Sequence, residues 1–232
     1  MDVKPIPGLE HLPFAEVWLR EPDDTLWRQA SALARAIGKD GLEVWTTDAT
    51  PDVVPFLEQR GYEIVRRYRI TELDVDAAPD PDPPAFPLTT FAARPDLAAE
   101  LYEVACEAYP DQPGRSEQRI SPFDVWRSWG LDPHPPDAYF IALDGERVLG
   151  YGYLEVEGDR ATHGFMALRR EVRGRGLGGA IKRAQIAWAK QHDVRTLRTA
   201  TELRLASMLS LNERLGYRPL YTEFVLRGPA AD

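Results

Sequence analysis

Residues 166–179 read Met166-Ala167-Leu168-Arg169-Arg170-Glu171-Val172-Arg173-Gly174-Arg175-Gly176-Leu177-Gly178-Gly179. The apolar start is typical of a strand, and the glycines mark a turn that leads into a helix. Glycine has no Cβ atom and adopts positive φ, so consecutive N–H groups of such a turn can converge on one point. Because the helix adds the positive end of its dipole, the pattern predicts a phosphate-binding turn.

Basic side chains are concentrated around this turn, although the chain has a formal net charge of -9. They are Arg169, Arg170, Arg173, Arg175, Lys182 and Arg183, against the single acid Glu171. A solvated basic helix face would explain the arginines alone, but it does not explain the glycines. The overall acidity predicts that neither nucleic acid nor a membrane surface is a partner, so we expect a local anion site.

The bulk composition is that of a folded protein with one large domain or two smaller ones, with 232 residues of which 44% are hydrophobic. Cys106 is the only cysteine, which excludes a disulfide framework and a cysteine-ligated zinc site, and we predict no metal site. It lies in a predicted helix at 96–109, where we expect a small buried side chain. No secretory signal and no run of about 18 apolar residues is visible, so the expected compartment is the cytoplasm.

The elements around the turn follow a definite order. The patterns predict two helices, three strands, a helix, a strand, a helix and a strand; their ranges are 96–109, 121–129, 138–143, 148–156, 162–168, 179–191, 196–201, 205–215 and 221–226. Asp144-Gly145 supplies the turn of the first hairpin. This order predicts a mixed α/β fold, with antiparallel hairpins first and a βαβ-like section last.

A proline-rich segment divides the chain, with five prolines between Asp76 and Pro87. We predict a first domain at 1–78, a linker at 79–87 and a second domain at 88–232. The first part also echoes the second at a constant offset of 155 residues, because the segment 42–62 has the same strand, helix and Gly-Tyr order as 197–217. We interpret this as a duplicated half-domain, whose acidic turn at 20–24 would repel a phosphate.

The glycines also fit a dinucleotide fingerprint, Gly174-x-Gly176-x-x-Gly179, which on its own is a weak signal. In a dinucleotide-binding fold this motif follows the first strand, and parallel strands come after it. Here it comes late and follows predicted hairpins. An NAD-dependent oxidoreductase is therefore the less favoured alternative.

Residues 162–219 resemble the GNAT superfamily of N-acetyltransferases, whose signature Arg/Gln-x-x-Gly-x-Gly/Ala is matched by residues 173–178. The element order from Leu88 to Leu226 is similar as well, and the first part looks like a degenerate half of a bacterial tandem-GNAT protein. The resemblance implies acetyl-CoA (coenzyme A) as cofactor. It also implies that the pyrophosphate meets the backbone from Arg173 to Gly179, and that Met166, Ala167 and Leu168 pair with the pantetheine like an added strand.

The resemblance further implies direct attack of a neutral amine on the thioester, with a base for the amine and an acid near the thiolate. The family's tyrosine acid is replaced by Asn212, an amide that is no general acid, and the family's upstream asparagine is replaced by Leu205. For the base, His163 is the first candidate, and Glu155 and Glu157 are alternatives. A structural role for His163 remains open at this point.

The sequence therefore predicts an N-acetyltransferase that acts on a small-molecule amine or a peptide. Without a competent base, the same domain would be a non-catalytic acyl-CoA sensor. The half-domain has sheet edges to cover, so we expect it to pack on the second domain or on the partner of a homodimer.

Overall fold

The computed structural model describes residues 1–6, 10–79, 86–113 and 119–231. Most of the predicted linker, residues 80–85, lies outside the described residues. Within them, no helix is long and apolar enough to cross a membrane. The same residues hold no group of three or more His, Cys, Asp and Glu side chains that could bind a metal ion.

The described chain contains ten strands and six α-helices. The strands are β1 (Lys4–Pro5), β2 (Phe14–Trp18), β3 (Gly41–Thr47), β4 (Glu63–Asp74), β5 (Leu88–Thr90), β6 (Tyr139–Asp144), β7 (Arg147–Glu157), β8 (Arg160–Leu168), β9 (Thr196–Glu202) and β10 (Arg218–Pro229). The helices are α1 (Asp24–Ala36), α2 (Val53–Glu58), α3 (Ala98–Ala108), α4 (Phe123–Gly130), α5 (Leu177–Gln191) and α6 (Ala206–Arg214).

These elements form two compact units, the first of which comprises Met1–Ile70, Thr201–Leu205 and Pro219–Asp232. In it, β2 and β3 are parallel, while β1 is antiparallel to β2 and β10 is antiparallel to β3. Helix α1 starts where the Asp23 carboxylate accepts the N–H groups of Thr25 and Leu26. Its buried face, Trp27, Ala30 and Ala34, packs into the core of this unit.

The second unit comprises Thr71–Ala200 and Ala206–Arg218. Strands β5 to β8 form an antiparallel meander, and β9 pairs with β8 in parallel. Alternate residues of β6 face opposite sides: Tyr139 and Ile141 pack with α3 and α4, whereas Phe140 and Ala142 pack with α5. Helices therefore cover both faces of this sheet, and the mixed α/β fold that the element order predicted is confirmed.

The strands and helices that the sequence analysis placed around the turn are present, with shifts of at most three residues at their ends, and Gly145 makes the first hairpin turn at φ +59°. The sequence analysis missed β4, a strand of twelve residues. It was also wrong about Cys106, which is exposed. Helix α3 buries Leu101, Val104, Ala105 and Ala108, and this spacing leaves Cys106 on the opposite face.

The internal echo is visible in the element bounds. When 155 is added to the residue numbers of β3, they become those of β9, and the numbers of β4 likewise become those of β10, so both ends of each strand coincide. Gly61 and Gly216, which end the helix in each copy, both have positive φ, +81° and +91°. Both copies therefore have the same order of strand, helix and strand and the same strand lengths, whereas the helix has six residues in the first copy and nine in the second.

Candidate active site

Strand β8 contains a β-bulge just after His163. Its register with β7 pairs Leu154 with His163 and Gly152 with Met166, so Gly164 and Phe165 lie opposite the single residue Tyr153. A Cβ atom on Gly164 would lie 2.0 Å from Cε2 of Tyr153. Only glycine therefore fits at this point of the bulge.

Strands β8 and β9 separate at the same place. Their parallel pairing in the described residues covers three residue pairs and ends at Thr162 and Arg198. On its other edge, β8 stays paired with β7 through Met166, Ala167 and Leu168. From His163 to Leu168, the edge of β8 that faces β9 is therefore open to an added extended chain.

The glycine-rich turn that follows β8 has the predicted geometry. Gly174 and Gly176 have φ of +74° and +88°, and α5 begins directly after Gly176. No atom lies within 4 Å of a Cβ built on either glycine. Glycine is therefore required here by the positive φ of the backbone and not by a lack of space for a side chain. The first helical hydrogen bond runs from the Ala180 N–H to the Gly176 carbonyl, and the N–H groups of 174–179 have no acceptor within the described residues. Such a turn can hold a phosphate oxygen.

Several of the basic side chains near the turn are held by carboxylates. Arg170 and Arg173 both bind Asp111, at 3.1 and 2.7 Å, and these guanidinium groups lower the pKa of that carboxyl. Arg175 has no ion pair in the described part of the chain. It lines a cavity of about 260 Å³ together with Arg147 and Leu177. The positive charge of the region is thus partly neutralised, and Arg175 remains available to an anion.

His163 is hydrogen-bonded at both ring nitrogens. Its Nδ1 lies 2.8 Å from Oε1 of Gln185, and the Tyr217 hydroxyl lies 2.5 Å from its Nε2. Because an amide oxygen only accepts, Nδ1 carries the proton and Nε2 accepts from Tyr217. Burial, and then the charge of Lys182, lower the pKa of His163 well below its usual value, and burial raises the pKa of Tyr217. His163 is therefore neutral at pH 7.

Lys182 lies beside this pair, although the sequence analysis counted it with the basic residues around the turn. Its side chain is 3% exposed, and its Nζ lies 3.5 Å from Oγ1 of Thr199 and 5.2 Å from the ring centroid of Tyr217. Within the described residues it has no carboxylate partner. Burial lowers the pKa of Lys182 to about 7. We call His163, Lys182, Gln185, Thr199 and Tyr217 the polar cluster.

Sequence reasoning named His163 but missed how it is held. Gln185 and Lys182 are three residues apart on α5, so they lie on one face of the helix, and this spacing was the available signal. Tyr217 is buried in the core, and its hydroxyl also belongs to the polar cluster.

The other predicted residues lie elsewhere. Asn212 is buried on α6. Its main-chain carbonyl accepts the N–H of Tyr217 at 3.0 Å, which fixes the position of that tyrosine. Glu155 and Glu157 are exposed and line a separate cavity of about 500 Å³ together with His134 and Arg198. The structure therefore does not bring these two carboxylates into the polar cluster.

Comparison with known proteins identifies the family of the chain. Residues 98–217, just over half of the chain, match the family described as "Acetyltransferase (GNAT) family". The chain belongs to this family, whose enzymes transfer an acyl group and use acetyl-CoA as co-substrate. No curated protein matches the chain.

Solved GNAT structures share the fold at low sequence identity. A GCN5-related N-acetyltransferase from Sphaerobacter thermophilus has a TM-score of 0.77 at 18% identity, over 100% of this chain and 76% of that chain. A tandem GNAT protein from the clavulanic acid biosynthesis pathway has a TM-score of 0.67 at 20% identity, over 95% of this chain and 76% of that one. A GCN5-related N-acetyltransferase from Kribbella flavida has a TM-score of 0.62 at 18% identity, over 94% of this chain and 82% of that chain. The chain thus has the GNAT fold.

Proposed function

We propose that this protein is an acetyl-CoA-dependent N-acetyltransferase that acts on a primary amine of a small molecule or a peptide. One observation carries the proposal: the open edge of β8 runs between the separation from β9 and the glycine-rich turn. A cofactor with a diphosphate at one end and an extended arm would fill this groove.

The dimensions of the groove suit coenzyme A. From His163 to Leu168 there are five strand steps, or roughly 17 Å at about 3.3 Å per residue. An extended pantetheine arm spans such a distance. With its pyrophosphate on the N–H groups of residues 174–179, since the Arg173 N–H already donates to the Arg170 carbonyl at 3.3 Å, the thioester lies near His163, where β8 and β9 separate. Met166, Ala167 and Leu168 then offer their main-chain groups to the amides of the arm.

The reaction is attack of a neutral amine on the thioester carbon, which forms a tetrahedral intermediate that expels coenzyme A as a thiolate. The main-chain N–H of Gly164 at the bulge is the proposed oxyanion donor. We propose His163 as the base, acting from Nε2 through the Tyr217 hydroxyl that it binds. Asn212 supports this arrangement by holding Tyr217, and its buried amide is a hydrogen-bonding group rather than an acid.

We further propose that the protein is a tandem GNAT with a degenerate first half at 1–78. Support comes from the matching bounds of β3 with β9 and of β4 with β10 at one constant offset. The turn at 20–24 has no glycine and carries three acids, so the first copy would bind no coenzyme A.

The test is to incubate the protein with acetyl-CoA and a panel of primary amines, and to identify acetylated products by mass. An N-acetyltransferase gives an acetylated amine and one equivalent of free coenzyme A. A protein that binds acetyl-CoA tightly but acetylates no amine or peptide in the panel would instead be a sensor.

A further inference from the structure

Lys182 is a buried lysine whose charge no carboxylate balances within the described residues. The contrast is Lys39, whose Nζ donates to the main-chain carbonyls of Glu10 and Leu12. Within the described residues Lys182 makes one side-chain hydrogen bond, to Thr199, which is 3.5 Å long and therefore weak. Burying a lysine without a strong partner destabilises the folded protein, so a buried Lys182 is better explained by a function than by stability.

The place is the point where β8 and β9 separate. Thr199 directly follows Arg198, the last residue of β9 that pairs with β8, and His163 directly follows Thr162, the last residue of β8 that pairs with β9. From helix α5, the Gln185 side chain forms a hydrogen bond with His163, and the Lys182 side chain donates one to Thr199. The ammonium group of Lys182 therefore lies beneath the end of the groove, where the proposed function places the sulfur of coenzyme A.

We propose that Lys182 is the proton donor to the thiolate of coenzyme A. This inference rests on the proposed acetyltransferase function. When the tetrahedral intermediate collapses, its carbon–sulfur bond breaks and the electron pair leaves on sulfur. The Lys182 ammonium then gives one proton to that sulfur, which yields the thiol of coenzyme A and a neutral lysine, and solvent returns the proton.

The surroundings suit this role. Among the described residues, Lys182 interacts with His163 on β8, Thr199 on β9 and Tyr217 after α6, and none of these three groups is negatively charged at pH 7. The ammonium is therefore not already paired when the thiolate forms. Its pKa of about 7 means that it readily loses a proton near neutrality. The family's tyrosine acid is absent here, and Asn212 cannot donate a proton at this pH.

The test measures the thiol of bound coenzyme A and needs no acceptor. In a C106A background, which removes the chain's own exposed thiol, thiolate absorbance of the coenzyme A complex is followed against pH. The Lys182 charge should lower the pKa of the bound thiol by at least about one unit from its free value of about 8.5, because the neighbouring thiolate in turn keeps Lys182 protonated over this pH range. The K182M variant, which keeps the apolar stem, should return the pKa to that of free coenzyme A.

The matched control is K190M on the same helix, since Lys190 donates to the Ala78 carbonyl at 2.6 Å away from the polar cluster. K190M should leave the thiol pKa lowered.

Equal thiol pKa values in the parent and in K182M would overturn the proposal. Loss of coenzyme A binding at pH 6 in K182M would also overturn it, since the donor acts on the sulfur and not on the affinity of the thiol form. An acetyl adduct on Lys182, seen by mass, would do so as well. If the parent protein binds no coenzyme A, the proposed function itself fails.

Discussion

His163 and Lys182 lie close enough for the charge of one to affect the other. The lysine charge lowers the pKa of the histidine, and both groups are desolvated. The sequence indicated His163 because a histidine at the start of a GNAT-like strand titrates near neutrality. It could not indicate that Gln185 and Tyr217 occupy both ring nitrogens, because those contacts join residues 22 and 54 positions away.

The first prediction concerns His163. The H163Q variant should lower kcat on the order of 100-fold if the imidazole is the base. Because the pKa of His163 is depressed, the wild-type rate should fall only at a pH well below 6.5, and this acid limb should be missing in H163Q. The pH profile of kcat is the measurement. H192Q, at the exposed end of α5, serves as control, and an unchanged rate and profile in H163Q would make His163 structural.

Lys182 should also make stability depend on pH. Its folded pKa is about 7, below its unfolded value, so the unfolded state binds more protons between pH 7 and about 10.5. The free energy of unfolding should therefore rise as the pH is raised from 7 to 9, by roughly 2 to 3 kcal/mol. Denaturant unfolding measures this, and K182M should be more stable at pH 7 and lack that rise. A K4M control at an exposed lysine should behave like the wild type, whereas a slope retained in K182M would contradict the assignment.

At the scale of elements, hairpins and helices could be read from glycine turns and apolar spacing, but β4 could not. It carries the run Arg66-Arg67-Tyr68-Arg69, and charged residues argue against a buried strand. In the folded first unit, Arg66 and Arg227 bind the two oxygens of Glu43, at 2.6 and 2.7 Å. These partners are 23 and 184 residues away from Arg66 and Arg227, so no local pattern could indicate them.

This buried network gives a prediction for β4. The E43A variant should destabilise the protein by about 3–5 kcal/mol, because Arg66 would remain buried without its carboxylate. The midpoint of urea unfolding is the measurement. E58A on α2, where the side chain is exposed, should change it little. A loss in E43A no larger than in E58A would mean that the network contributes nothing.

At the scale of the whole molecule, the family and the mixed α/β fold could be predicted from the turn and the element order, because both depend on local sequence. The division into units could not. Strand β10 follows the second copy in sequence but lies in the first unit, where Leu226 pairs with Val44. Long-range strand pairing decides such membership, and it leaves no local signature. The domain boundaries at 78 and 88 stay a prediction.

The central claim is that the turn from Arg173 to Gly178 holds the pyrophosphate of coenzyme A. Calorimetric titration of acetyl-CoA into the wild type, G176D and G158D tests it. Gly176 and Gly158 are a matched pair, because both have positive φ, +88° and +59°, and neither has an atom within 4 Å of a built Cβ. Aspartate tolerates such a backbone conformation better than most residues. The account predicts binding by the wild type and by G158D, and at least about 100-fold weaker binding by G176D, whose carboxylate would repel the phosphates. Equal affinity in all three proteins would contradict it.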